Sequence, residues 1–210
     1  MSSNTSSQRP ICGLCLRPQR TCICQWITAI APAVEVIILQ HPMEAGNAKG
    51  TARLLHLSLA GSRILAGEVF DAEALQALLH AGSRRPVLLY PDTPDDKALG
   101  LTPAPPLEPS LLQVPSQLRL IVLDGTWRKS RKMLYLNPLL QQLPRLPLRD
   151  PPASQYLIRK AHGQHQLSTL EAACYALMKL EKNAGKYQPL LQAFSGFIAQ
   201  QDSYVHQQRQ

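Results

Sequence analysis

Short apolar segments recur along the chain and alternate with segments that have helical spacing. Residues 34–39 and 118–123 are mostly apolar and contain β-branched side chains, as buried strands do. Residues 62–65 and 85–90 are two further predicted strands. Strands that alternate with helices are typical of parallel sheets, so the pattern predicts an α/β fold with a largely parallel sheet flanked by helices.

The helices are predicted from apolar spacing and from end signals. They cover residues 51–59, 71–81, 168–182 and 189–207. Asp71 is a typical N-cap, and Gly82 is a typical stop for the same helix. Ser168 and Glu171 have the spacing of a capping box. Residues 91–115 contain seven prolines and residues 144–152 contain four, so both segments are predicted to be irregular.

Residues 118–136 are the most informative segment of the chain. An apolar strand ends at Asp124, Gly125 permits a tight turn, and a helix is predicted from Thr126 or Trp127 to about Leu136. Four cations lie in the first turns of this helix: Arg128, Lys129, Arg131 and Lys132. Open α/β sheets bind ligands outside the carboxyl ends of their strands. The segment therefore places one carboxylate beside a surface suited to phosphate groups.

The charge distribution favours a polyanionic partner. The net charge is +8, and residues 128–160 contain eight Lys or Arg side chains and one acid, Asp150. RNA phosphates are the expected contacts of the four helix cations and of Arg159 and Lys160; the alternative is a solvated charged surface. The chain has no apolar run long enough for a membrane span and no signal-peptide pattern, so a cytoplasmic protein is expected.

Four of the five cysteines cluster near the N-terminus. Cys12, Cys15, Cys22 and Cys24 have the spacing of a zinc knuckle. Four thiolates complete a tetrahedral zinc site and leave no open position, so the predicted role of the metal is structural. The alternative is a set of reduced cysteines in a flexible arm. The knuckle brings Arg9, Arg17 and Arg20 with it as candidate RNA contacts, whereas Cys174 is predicted to fill the core.

Several ordered motifs together resemble the DTW-domain family. Asp124, Thr126 and Trp127 match the signature after which the family is named. The other matching segments are residues 41–44, 89–91, 156–160 and 167–172. The resemblance covers residues 10 to 185. It departs from the family pattern after Glu44, where either Asn47 or Thr51 takes the place of a family Asn-Thr pair.

The resemblance implies a tRNA-uridine aminocarboxypropyltransferase. Such enzymes transfer the 3-amino-3-carboxypropyl group of S-adenosylmethionine to N3 of a uridine in tRNA and release methylthioadenosine. The variable loop is the preferred target, with the D-loop as the alternative. The family is similar to SPOUT proteins, which implies a SPOUT-like fold with a trefoil knot. The expected division is a tail over 1–9, the knuckle over 10–30 and the catalytic domain over 31–210; a monomer and a homodimer both remain open.

The resemblance also assigns site residues. The catalytic set is Asp124, Thr126 and Trp127. The cofactor-binding set is Leu89, Tyr90, Pro91, Ser168, Thr169, Thr51 and Leu148. Asp124 has three candidate roles: a general base with a raised pKa, a group that orients the uracil, or a cap of the basic helix. Trp127 either stacks on the flipped uracil or packs under the turn, and His41 is either functional or structural.

Two other functions remain open at this stage. A SPOUT-like RNA methyltransferase would use the same S-adenosylmethionine but transfer its methyl group. A non-catalytic, zinc-bearing RNA-binding module would need the knuckle and the cations, but not an acidic strand tip. The full set of motifs at strand ends favours an enzyme over the binding module.

Overall fold

The computed structural model of the protein describes residues 10–47, 49–92, 100–152, 154 and 167–207, with side chains up to Tyr204. The strands are β1 (Glu35–Gln40), β2 (Arg63–Ala66), β3 (Arg85–Leu89), β4 (Leu118–Asp124) and β5 (Arg145–Leu146). They form one parallel sheet in the order β2-β1-β4-β3-β5. The predicted parallel α/β sheet is therefore confirmed.

Helices surround the sheet. They are α1 (Pro42–Ala45), α2 (Ala52–Ser58), α3 (Ala72–His80), α4 (Trp127–Leu136), α5 (Pro138–Gln141), α6 (Thr169–Glu181) and α7 (Ala184–Gln207). The end signals act as predicted. The Asp71 carboxylate accepts a hydrogen bond from the amide of Ala74, and Ser168 and Glu171 form a complete capping box at the start of α6.

Alternating side chains of the central strands bury two separate apolar layers. Val36 and Ile38 of β1 face one layer, which includes α2, α6 and α7. Ile37 and Leu39 face the other, which includes α3, α4 and α5. The result is a sheet covered on both faces, which explains why β1 and β4 are almost continuously apolar.

Two details differ from the predicted elements. The segment predicted to be irregular over 144–152 contains β5, whose two residues pair with the end of β3. The last helix begins at Ala184 rather than at Pro189. The Asn183 side chain accepts a hydrogen bond from the amide of Lys186, so it caps the earlier start, and Pro189 lies inside the helix.

The topology brings the carboxyl ends of all five strands to one edge of the sheet, called here the carboxyl edge. Gln40 and Asp124 are register partners at the ends of β1 and β4. The SPOUT likeness and the trefoil knot stay predictions. Among the described residues, no helix is both long and apolar enough to cross a membrane.

Candidate active site and metal centre

Asp124 lies at the tip of β4, in the middle of the carboxyl edge. The residue is only 5% exposed. Its two carboxylate oxygens accept separate hydrogen bonds, one from the Gln40 amide nitrogen at 2.8 Å and one from the Thr169 hydroxyl at 2.6 Å. Burial raises the pKa of Asp124, although both hydrogen bonds oppose the shift. The carboxylate is thus fixed in place and is easier to protonate than a surface aspartate.

Thr126, not Asp124, caps the basic helix α4. The Thr126 hydroxyl accepts a hydrogen bond from the amide of Lys129. Of the three roles left open for Asp124, the helix cap is therefore not observed, because both of its oxygens face Gln40 and Thr169 instead. The turn between them is tight: a Cβ on Gly125 would lie 3.1 Å from the Cβ of Lys129.

A cavity of about 470 Å³, called here the first cavity, opens beside this turn. It lies over the ends of β3, β4 and β5 and against α4 and α6, and most of its lining is apolar. Trp127 stacks on Tyr90, with ring centroids 5.3 Å apart and planes 16° apart. The Arg145 guanidinium also approaches the Tyr90 ring, at 5.3 Å from the centroid. Trp127 is 45% exposed, so it packs on one side and remains accessible.

The sequence-predicted cofactor residues divide into two groups. Five of them line the first cavity: Leu89, Tyr90, Pro91, Leu148 and Thr169. Ser168 and Thr51 do not line it. Their hydroxyls accept hydrogen bonds from the amides of Glu171 and Leu170, so both side chains serve the start of α6. Those two amides are consequently not available to a ligand.

Two half-buried acids that follow β1 and β2, Glu44 and Glu68, were not assigned from the sequence. The Glu44 carboxylate contacts the Lys129 ammonium at 2.7 Å. Burial raises the pKa of Glu44, but the hydrogen bonds from Lys129 and Asn47 outweigh burial and lower the pKa overall. Glu68 contacts Lys132 at 2.9 Å and His41 Nε2 at 2.8 Å, and Lys132, followed by His41, lowers the pKa of Glu68. These contacts tie α4 to the ends of β1 and β2.

His41 has a defined structural role in this network. Its Nδ1 accepts a hydrogen bond from the amide of Met43, so the proton lies on Nε2 and is donated to Glu68. Its backbone amide donates to the carbonyl oxygen of Asp124, which extends the β1–β4 pairing by one residue. Of the two roles left open for His41, the structural one is observed.

The predicted RNA contacts on α4 also fall into two kinds. Arg128 and Arg131 are exposed and form no ion pair with any described residue. Lys129 and Lys132 are already paired with Glu44 and Glu68. The other two predicted contacts, Arg159 and Lys160, lie outside the described residues. Only the two arginines therefore present an uncompensated charge on this helix.

The four predicted metal ligands come together. The sulfur atoms of Cys12, Cys15, Cys22 and Cys24 all lie within 4.8 Å of one another, with Cys12–Cys24 at 3.6 Å and Cys15–Cys22 at 3.8 Å. Thiolates at tetrahedral corners, about 2.3 Å from a zinc ion, lie about 3.8 Å apart, so the cluster fits zinc. Hydrogen bonds from the backbone of Cys15 and then of Leu14 lower the pKa of Cys12 to about 6. Cys174 is buried in the core, as predicted.

The knuckle is docked firmly against α7. The Trp26 indole donates a hydrogen bond to Gln200, whose amide donates to the carbonyl oxygen of Cys22. Gly196 allows this contact, since a Cβ there would lie 2.2 Å from the Trp26 ring. Arg17 is buried against Phe197 and donates to the carbonyl oxygen of Gly50. The cysteine cluster is thus packed on the domain rather than carried on a free arm.

Comparison with known proteins gives a consistent assignment. The DTW domain model matches residues 9–202. The chain is 30% identical to mouse tRNA-uridine aminocarboxypropyltransferase 2 over 211 residues, which cover 95% of this chain and 67% of the mouse protein. It is 29% identical to the Drosophila melanogaster protein of that name, over 91% of this chain and 74% of the relative. It is 31% identical to Arabidopsis thaliana tRNA-uridine aminocarboxypropyltransferase A, over 63% of this chain and 53% of the relative.

No solved structure matches the chain significantly. The family match spans nearly the whole sequence and includes the strand tip, the first cavity and the cysteine cluster. The chain belongs to the DTW domain family.

Proposed function

We propose that the protein transfers the 3-amino-3-carboxypropyl group of S-adenosylmethionine to N3 of a uridine in tRNA. The relatives named above support the reaction, because their names describe tRNA-uridine aminocarboxypropyltransferases. The observation that carries the proposal is the position of Asp124: a buried carboxylate whose partner Thr169 lines a cavity of small-molecule size.

The first cavity is the proposed donor site. Its volume lies within the range of about 300–1,000 Å³ that small-molecule sites occupy. Apolar strand ends suit an adenosine, and the stacked faces of Tyr90 and Trp127 suit a sulfonium cation. The donor supplies an activated carbon and a good leaving group. The residues of the cavity then have to orient it, so that the aminocarboxypropyl arm and not the methyl group reaches the acceptor.

Asp124 is the proposed general base. The N3–carbon bond forms as the sulfur–carbon bond breaks; the sulfur keeps the electron pair and leaves as the neutral thioether of methylthioadenosine. The N3 proton passes to the Asp124 carboxylate and then to solvent. The raised pKa of Asp124 makes its carboxylate a stronger base for the N3 proton than an ordinary aspartate. Gln40 and Thr169 hold the carboxylate in place throughout.

Zinc is proposed as a structural ion held by the thiolates of the four clustered cysteines, none of which forms a disulfide. A reducing compartment such as the cytoplasm suits such a site. Four sulfur ligands leave no coordination position for a substrate, so the ion takes no part in the transfer. Its function is to keep the 10–30 segment folded against the catalytic domain that follows.

The direct test is nucleoside mass spectrometry. Purified protein is incubated with S-adenosylmethionine and an unmodified tRNA transcript, and the digest is searched for the aminocarboxypropyl adduct of uridine. We expect the adduct, and we expect the same nucleoside to disappear from tRNA of cells that lack the protein. A methyl adduct would instead identify a methyltransferase, and no adduct on any RNA would identify a binding module.

The proposed target is the variable loop. Transcripts in which the uridines of either the variable loop or the D-loop are replaced by cytidine distinguish the two sites. We expect the variable-loop replacement alone to abolish the adduct. Loss of the adduct with the D-loop replacement would contradict this part of the proposal while leaving the reaction itself intact.

A further inference from the structure

A second cavity of about 480 Å³ lies at the same carboxyl edge of the sheet, over the ends of β1 and β2. Its walls come from three separate segments: the cysteine knuckle, the strand ends, and α1 with the loop that leads to α2. The residues that matter here are Arg17, Arg20, Gln40, Glu44, Ala45 and Arg53. None of them was assigned to the donor cavity.

Asp124 is hydrogen-bonded to one wall residue of each cavity, although its own side chain lines neither. Gln40 lines the second cavity and donates its amide to one carboxylate oxygen at 2.8 Å. Thr169 lines the first cavity and donates its hydroxyl to the other oxygen at 2.6 Å. A single carboxylate is therefore held from both sides, one hydrogen bond from each cavity wall.

The second cavity is the more cationic of the two. Arg20 is exposed and forms no ion pair with the described part of the chain. Arg53 donates to the carbonyl oxygen of Leu14 and has no carboxylate partner among the described residues. The acid on this wall, Glu44, is already paired with Lys129. Two arginine charges thus remain available for an anion, which matches the chemistry of a nucleic-acid phosphate.

The hydrogen-bonding groups of Gln40 and Asp124 also match one base better than the other pyrimidine. The Gln40 amide has two N–H groups and uses one of them for Asp124. The second N–H can donate to a carbonyl oxygen, while the Asp124 carboxylate can accept from a ring N–H. Uracil presents that pair, a carbonyl beside the N3–H, whereas cytosine presents an amino group beside an unprotonated N3.

We infer that the second cavity receives the acceptor nucleotide, with its phosphate at Arg20 and Arg53 and its uracil at Gln40 and Asp124. The inference rests on the proposed function and assigns the donor and the acceptor to separate parts of the carboxyl edge. The donor occupies the ends of β3, β4 and β5, the acceptor occupies the ends of β1 and β2, and Asp124 meets the N3 proton between them. Gln40 becomes a specificity-determining residue for uridine.

A pair of cavity-filling variants tests this division. Ala45→Trp fills the second cavity from an exposed position at the end of α1, and Ala172→Phe fills the first cavity from α6. We expect Ala45→Trp to slow transfer by about a hundredfold while S-adenosylmethionine affinity stays unchanged. We expect Ala172→Phe to weaken S-adenosylmethionine binding about tenfold or more while tRNA affinity stays unchanged. Wild-type turnover by Ala45→Trp would overturn the inference.

Crosslinking separates failure of the inference from failure of the proposed function. A tRNA transcript that contains 4-thiouridine is irradiated on the wild-type protein, and the attached peptides are mapped by mass spectrometry. Attachment at Arg20, Gln40 or Arg53 supports a nucleotide in the second cavity whether or not transfer occurs. Attachment confined to Tyr90 and Trp127 refutes it, even if the adduct of uridine is formed normally.

A matched pair of arginine variants tests the phosphate contact. Arg20→Gln should weaken tRNA binding several-fold and reduce the salt dependence of log affinity by about 0.7–0.9. Arg85→Gln is the control, because Arg85 is also exposed but begins β3 at the opposite edge of the sheet. Equal effects of the two variants would show general charge attraction and would overturn the assignment of Arg20.

Discussion

The two cavities at the carboxyl edge are similar in size but are built by different forces. The first cavity is lined by strand ends and by α4 and α6, all of which contribute side chains to the two apolar layers. Side-chain caps also stabilise the starts of α4 and α6. One wall of the second cavity is the knuckle, where the described elements are only two short 3-10 turns. Hydrophobic burial shapes the first cavity, whereas the cluster of four cysteines and its docking on α7 shape the second. Substitutions and metal removal should therefore affect the two cavities differently.

The largest expected effect is on the group that the cavities share. Asp124→Asn should reduce transfer by about 10²–10⁴-fold, because an amide cannot accept the N3 proton. Binding of S-adenosylmethionine should be unchanged. Asp92→Asn is the control, since Asp92 is exposed and its partner among the described residues is Arg149, in a surface ion pair. Near-normal turnover by Asp124→Asn would exclude a catalytic role for this carboxylate.

The same variant makes a prediction about pH and stability. Burial raises the pKa of Asp124 in the folded state, so ionisation at higher pH disfavours folding relative to the protonated group. Asp124→Asn should consequently be at least as stable as the wild type at neutral pH, with an advantage that vanishes as the pH falls below the ordinary aspartate range. The wild-type transfer rate should decline as the pH is lowered through the raised pKa. Thermal unfolding and pH–rate profiles measure both effects.

The next largest effect is expected from removal of the metal. A chelator should unfold the knuckle and release the Trp26–Gln200 contact, because structural zinc contributes directly to folding. Binding of tRNA should fall strongly, whereas S-adenosylmethionine should still bind to the first cavity. Added zinc should restore tRNA binding, and metal analysis should find one zinc per four cysteines. Equal loss of both ligands would contradict the independence of the two cavities.

The contrast between the cavities also explains what the sequence predicts well. Asp124 ends a buried strand, and Tyr90 and Trp127 come after buried strands, so the parallel arrangement predicts that they lie at one edge of the sheet. Their assignment to the active site came from the family resemblance. The role of Gln40 was not predictable, because Gln40 ends an apolar run and belongs to no motif. Its contact with Asp124 depends on the register between β1 and β4. The second cavity joins three segments that only the docked knuckle brings together.

The missed elements have equally local causes. The strand β5 has two residues between Pro144 and Pro147, too few for any period, and it exists because the end of β3 offers a partner. The early start of α7 was missed because Pro189 is a typical first helical residue. In the structure, the Asn183 cap and the buried Tyr187 stabilise one more turn before that proline.

A smaller effect is expected from Trp127. An aromatic pair contributes about 0.5–1.5 kcal/mol beyond burial, so Trp127→Ala should weaken S-adenosylmethionine binding by about two- to tenfold. Trp127→Phe should retain most of the affinity, since a ring can still stack on Tyr90. Tyr135→Ala provides a control on an exposed face of the same helix. If Trp127→Ala instead weakened only tRNA binding, its ring would belong to the acceptor side.

The smallest effects are expected from single cations of α4, and they distinguish compensated from uncompensated charges. If Arg128 and Arg131 contact phosphates as predicted, Arg128→Gln and Arg131→Gln should each lower the salt dependence of tRNA affinity by about 0.7–0.9. Lys132→Gln should leave that slope nearly unchanged, since its ammonium is already bound to Glu68. Filter binding over a range of salt concentrations measures all three slopes.

The salt dependence measured for Lys132→Gln also shows whether the carboxyl edge between the two cavities changes when tRNA binds. If Lys132→Gln lowers the slope as much as Arg131→Gln does, the Lys132–Glu68 pair must open when tRNA binds. Glu68 would then lose one of the two partners that its carboxylate has among the described residues, and His41 would remain. Since the His41 amide donates to the backbone of Asp124, the acceptor would then move the strand tip as it binds. An unchanged slope instead means that tRNA meets a preformed edge, with the donor and acceptor positions fixed before either ligand arrives.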